Sequence, residues 1–394
     1  MKFRSHILQL LLLASLGGGL GCATAGAEAT SRPLTAGPAE AEQCGDVQML
    51  PTSGLYVVTP LNQVLDEAVL DSPNISCIAI RVGWSKLQPR AQEPLFAVID
   101  AQILLARKYN KKVSLSIEAG VETPGWVYNL GARPFTIIRD ESAGDLVCQS
   151  ARLPIPWDPV YLDAFKALIT AAGRRYNRSS LLTHVKVTGL SGIGPQVALP
   201  HQSSRALSSS AKSCRTTDEA MAWSDVGYSR ARITQTWREL LDLFSQSFTS
   251  HRLAMVVDAQ GFPAAGERTG SHSDRAYDTD LVPDLIKMSL EGRQARMQLQ
   301  SNDLTNTSPY PFPLRFSDET ILGYQMRWAV SADRGARMNN GVADSPVAIF
   351  DGTVRRGVSA HARYLEVQLA DVQNPQLASS MAGGRVLLRR GTPR

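Results

Sequence analysis

Four carboxylates stand at or just beyond the ends of strand-like runs in this 394-residue chain: Glu118, Asp258, Asp303 and Glu366. Paired across a cleft, two such groups can divide the work of general acid and general base. Each also has a plainer reading. Glu118 could pair with Arg81 on a neighbouring strand, and Asp258 precedes Ala-Gln-Gly and could cap a loop. Asp303 sits in Asn-Asp-Leu-Thr-Asn-Thr, ordinary turn composition. Glu366 lies within a strand-like run, where an inward-facing carboxylate requires a partner. Other chemistries lack their residues. No G-x-S-x-G elbow or Ser-His-Asp order occurs, and His201, His272 and His361 are far apart in sequence. Without a C-x-x-C pair or a histidine cluster, neither a metal nor a cofactor is expected.

Positioning these groups falls to a recurring alternation. Strand-like runs occupy 54–60, 77–84, 112–118, 184–188, 252–258, 296–300, 320–325 and 362–367. Helical spacing of apolar residues marks 61–70, 96–109, 159–176, 233–247 and 280–291, and Asp158-Pro159 supplies a cap and a first-turn proline. Strands alternating with helices imply a parallel sheet, and eight of them imply a single-domain (β/α)₈ TIM barrel with long βα loops. An open doubly wound sheet is the alternative, but no G-x-G-x-x-G follows the first strand. In such a barrel the reactive groups gather at the C-terminal strand ends. That rim holds Trp84, Glu118, Gln196, Asp258, Asn302, Asp303, Gln325 and Glu366, with long loops over 119–158, 189–232, 259–279 and 301–318.

The N-terminus reads as an export signal. Lys2 and Arg4 precede an apolar run from Ile7 to Leu16, too short to span a bilayer. Leu20-Gly21-Cys22 resembles the end of a bacterial lipobox, although Gly19 stands where an aliphatic residue is usual. The expected organisation is a signal over 1–22 ending at a lipidated Cys22, a flexible tether over 23–45, the barrel over 46–380 and a basic tail over 381–394. The protein is then an exported lipoprotein of the outer membrane or cell surface, held by its lipid anchor, or a secreted one. In an oxidising compartment Cys44, Cys77, Cys148 and Cys214 form two disulfides, for which three pairings exist. The loops after strands three and four adjoin on one rim, so Cys148 is expected to pair with Cys214 and Cys44 with Cys77. The net charge of +5 comes mostly from scattered arginines, with no basic stripe to suggest nucleic acid.

IAIRVGWSKLQPRAQEPLFAVIDAQILLARKYNKKVSLSIEAGVETPGWVY (78–128) resembles the second and third βα units of retaining glycoside hydrolases of the largest barrel clan, that of cellulases and β-galactosidases. PIPWDPVYLDAFKALITAAGRRY (154–176) looks like the helix before strand four in that group, and 323–328 and 362–375 look like its strands seven and eight. The resemblance implies an acid/base after strand four and a nucleophile at the end of strand seven, about 5–5.5 Å apart. The matching positions here are Gln196 and Gln325, amides that can bind a sugar hydroxyl but can neither protonate a leaving group nor attack well. An inverting pair drawn from Glu118, Asp258, Asp303 and Glu366 would tolerate about 6.5–9.5 Å. Trp84, Trp126, Tyr128, Trp157, Tyr310 and Trp328 fall near strand ends, where flat rings can bury the apolar faces of sugars. Arg81, Trp84, Trp126, Gln196, Asn302, Gln325 and Trp328 are the expected contacts of a poly- or oligosaccharide. Three readings follow: a glycoside-hydrolase-like barrel acting on carbohydrate, a non-catalytic carbohydrate-binding lipoprotein on that fold, and a structural lipoprotein without a sugar site.

Overall fold

The computed structural model describes residues 53–138, 148–200, 207–209, 212–214, 219–259, 261–264, 278–307, 312–332 and 344–390. Eight parallel strands close into a barrel: β1 (Gly54–Val58), β2 (Ile75–Gly83), β3 (Lys112–Glu118), β4 (Leu182–Lys186), β5 (Arg252–Val257), β6 (Met297–Leu304), β7 (Ile321–Met326) and β8 (Ala362–Gln368). Closure is direct, with Tyr56 of β1 in register with Glu366 of β8. The expected (β/α)₈ fold is therefore the observed one. A short segment, Gln196–Val197, pairs with Val256–Val257 and continues the place of β4 beside β5 after the chain loops out at Gly189.

Alternation along each strand separates two cores. Leu253, Met255 and Val257 point outward into the layer between barrel and helices, as do Leu322, Tyr324 and Met326. Tyr56, Val58, Cys77, Ala79 and Tyr364 cluster inside the barrel. The helix Pro159–Tyr176 shows how the outer layer forms. The Asp158 side chain accepts from the N–H groups of Val160 and Tyr161, Pro159 fills the first turn, and Tyr161, Phe165, Leu168, Ile169, Ala172 and Tyr176 are buried on one face.

Several expectations change. Of 61–70 only Glu67–Leu70 is helical; Asn62 has φ 67° and its side chain accepts from Gly83 N–H, so the chain turns before a helix can start. Pro346–Ser359, capped by the Ser345 side chain, is a helix that the apolar spacing did not reveal. The barrel also extends beyond residue 380. Ala378–Arg390 is a helix that buries Met381 and Leu388, so most of the expected basic tail is packed structure. Physically, its apolar stripe outweighs its arginines. Cys77 is a free thiol buried inside the barrel, which overturns its pairing with Cys44. Cys148 is disulfide-bonded, but the Cys214 side chain and residues 1–52 lie outside the described residues, as do Tyr310, His201 and His272. Among the described residues no helix is long and apolar enough to cross a membrane.

Candidate functional site at the C-terminal mouth

The barrel interior is unusually polar for a packed core, and its centre is an ion pair. Lys186 of β4 and Glu366 of β8 meet at 2.7 Å with side chains only 1% and 0% exposed. Gln300 of β6 donates to Glu366 Oε2 at 2.9 Å and to Asn302 Oδ1 at 2.8 Å. Tyr364 donates to Gln300 Oε1 at 2.8 Å while accepting from Gln298 Nε2 at 3.0 Å. Burial, with Glu366 also nearby, pushes the Tyr364 hydroxyl well up, so it remains a neutral donor. The network needs Gly323 on β7, where a Cβ would overlap the Tyr364 ring. Lys186, Gln300 and Glu366 come from alternate strands, the arrangement of one interior layer.

One step nearer the mouth, Arg81 of β2 grips Glu118 at the end of β3 through two bonds of 2.7 and 3.1 Å. Glu118 is 2% exposed and its partner 28% exposed, so the guanidinium is the accessible side of this pair. Thus two of the four candidate carboxylates are buried against cations. The other two lie at the ends of β5 and β6 and feel each other. Enclosure by surrounding chain, together with Asp258, raises the Asp303 carboxyl, and Arg327 at 3.7 Å works against the shift. The Asp303 side chain is still 56% exposed, so solvent screens much of this effect.

The two amides expected at the catalytic positions both face the interior. Gln196 stands in register with inward-facing Val256, while its neighbour Val197 joins the outer core. Its Oε1 is enclosed and has no protein partner. Gln325 lies between outward-facing Tyr324 and Met326, in register with Glu366, and is half-buried. Asn302 completes this level from β6.

The aromatic rim is smaller than the sequence implies. Trp84 is fully buried between strands and helices, edge-on to Trp126 and beside Phe165, with its Nε1–H donated to Gln88. It cannot touch a ligand, because the chain turns outward directly after Gly83. Trp126, Tyr128, Trp157 and Trp328 remain partly exposed; Arg152 covers the Tyr128 ring and Arg327 the Trp328 ring. Sequence reasoning missed Lys186 and also Glu122, whose carboxylate accepts from Ser85 at 3.2 Å and contributes to the field at Arg81. A lysine flanked by valines in a strand of an all-parallel barrel was the available signal for Lys186. Among the described residues no group of three or more potential metal ligands occurs.

No protein-family model matches the chain, and no curated protein matches it. Solved structures do. The catalytic domain of a β-amylase from Paenibacillus polymyxa superposes with a TM-score of 0.53 at 11% identity, over 86% of this chain and 99% of that one. An endo-1,4-β-mannanase from Rhizomucor miehei gives 0.47 at 10% identity, over 87% and 96% respectively. The likeness to the β-amylase is one of fold: this chain has a (β/α)₈ barrel.

Proposed function

We propose that the protein binds carbohydrate in the mouth of this barrel and lacks retaining hydrolase activity. One observation carries the reading. The inward places at the ends of β4 and β7 hold Gln196 and Gln325, while the deeper carboxylates Glu118 and Glu366 are each neutralised by a cation. A neutral amide offers one acceptor and two donor hydrogens to sugar hydroxyls but no titratable proton. Gln196 Oε1 has no protein partner but packs against Gly194, so a ligand hydroxyl would meet this amide once its side chain turns into the mouth. Arg81 and Asn302 would add donors, and Trp126, Trp157 and Trp328 apolar faces. The test is a panel of oligo- and polysaccharides titrated calorimetrically, with released reducing ends assayed in parallel. Binding of at least one glycan is expected, weakened about 2–10-fold by Gln196→Ala or Gln325→Ala. No binding anywhere on the panel overturns the reading.

A second reading has its own support. Asp258 and Asp303 stand at the mouth ends of the adjacent strands β5 and β6, where one could serve as acid and the other as base; burial, then Asp258, raises the Asp303 carboxyl, an effect that its exposure screens. In that case the enzyme inverts, and both Asp258→Asn and Asp303→Asn abolish turnover; turnover that survives either change excludes it.

For location, the proposal is an exported protein anchored through a lipid on Cys22, with Cys148 paired to Cys214. The leader composition supports the first. Labelling with an alkyne fatty acid should mark the parent and not Cys22→Ser; equal labelling refutes it.

A further inference from the structure

We infer that the end of the barrel opposite the mouth, along the arc beneath β3 to β6, docks on an anionic lipid surface. All strand N-termini share one end of a parallel barrel, so residues opening successive strands are neighbours there. Lys112 opens β3, Arg178 lies in the turn before β4, Arg252 opens β5 and Arg296 immediately precedes β6. None forms an ion pair with a described carboxylate. Instead Lys112 donates to Ser180 O at 3.2 Å, Arg252 to Ala295 O, and Arg296 to Phe248 O at 2.6 Å and His251 O at 3.2 Å. These contacts pin the side chains on the turns without neutralising them. Arg252 Nε is enclosed and has no partner at all.

Other cations of this end are already committed and do not count. Arg175 pairs with Asp100 and Arg293 with Asp242, and the buried Lys111 ammonium is held by Ser72 O and Ile75 O. The carboxylates bound the arc on its flanks: Asp71 before β2, and Asp318 and Glu319 before β7, with Glu291 the one acid before β6. Among the described residues, four cations without a carboxylate partner, Arg178 exposed and the other three half-buried, stand against one unpaired carboxylate and form a patch suited to phosphate headgroups, each cation near such a surface being worth about fivefold in partitioning. The position of the leading chain argues for a bilayer over a soluble polyanion. β1 opens at Gly54 on this same end, so the segment that leads from the proposed anchor enters the barrel here. Docked this way, the mouth faces away from the membrane. The inference rests on the proposed anchor for the choice of a bilayer over a soluble polyanion and for that orientation, and it is independent of the sugar reading.

The experiment uses the full chain carrying Cys22→Ser, floated with vesicles of phosphatidylcholine with and without phosphatidylglycerol. The leader is common to all variants, so differences between them read the barrel face. Lys112→Gln with Arg178→Gln should lower partitioning to the phosphatidylglycerol vesicles by about fivefold per cation, while Lys86→Gln with Arg90→Gln, at the mouth end, should not. Added salt should abolish the difference. Equal partitioning of the arc variant and its parent overturns the proposal. Equally damaging would be heparin binding that matches vesicle binding and depends on the same residues, since the arc would then recognise polyanions and not a bilayer.

Discussion

Lys186 Nζ lies 2.7 Å from Glu366 Oε1 in a barrel interior that exposes neither side chain. The pair joins β4 to β8 across the barrel, and Gln300 and Tyr364 tie it to β6. Removing one member strands a buried charge, so Glu366→Gln should cost about 3–5 kcal/mol in urea unfolding. Replacing both, with Lys186→Met and Glu366→Leu, should recover most of that loss. A Glu366→Gln variant as stable as the parent would show that the carboxylate does not hold the lysine.

Gly323 and Tyr364 form a second interlock, since a Cβ at 323 would meet the phenol ring. Gly323→Ala should destabilise by about 1–3 kcal/mol. With Tyr364→Val in the same chain the alanine should cost far less, a coupling that a double-mutant cycle measures directly. Additive effects would place the ring elsewhere.

His184 is fully enclosed against Tyr56 and Tyr364, and burial, reinforced by Lys186 and then Arg252, holds its imidazole well below the ordinary value of 6.5. The native state therefore keeps it neutral while the unfolded chain takes up a proton. The resulting stability is complete above the unfolded pKa and is lost as the pH falls below about 6.5, by up to about 1.4 kcal/mol per pH unit. His251, also pushed down by burial, adds to the slope. Unfolding measured from pH 8 to pH 5 should show this decline, and His184→Gln should flatten it; an unchanged slope contradicts the assignment.

The strands were legible because their outward faces are apolar and regular, as in Leu253, Met255 and Val257. Polar Ser301, Asn302 and Asp303 make β6 look complete at Gln300 in the sequence, yet this barrel keeps polar groups inside and the strand runs to Leu304. Lys186 went unnoticed for the same reason: alternation identifies a strand without saying which face is interior. The Arg81–Glu118 bond followed from adjacent strands. Trp84 misled because a single residue past the strand end already points into the helix layer. The Pro346–Ser359 helix carried a Ser-Pro start like the Asp158-Pro159 one, a local signal that the periodicity did not reinforce.

The central claim is that Gln196 and Gln325 stand where a retaining enzyme of this fold keeps its acid/base and nucleophile. Its most direct test is the stereochemistry and rate of glycoside cleavage, followed by NMR, for the parent and for Gln196→Glu with Gln325→Glu. The account predicts no retaining turnover by the parent, since the general-acid contribution of about 10²–10⁴-fold is unavailable from an amide. The double variant should acquire or raise retaining turnover while binding its glycan with nearly unchanged affinity. Retaining turnover by the parent would contradict the account, and its loss in Glu366→Gln would move the chemistry to β8.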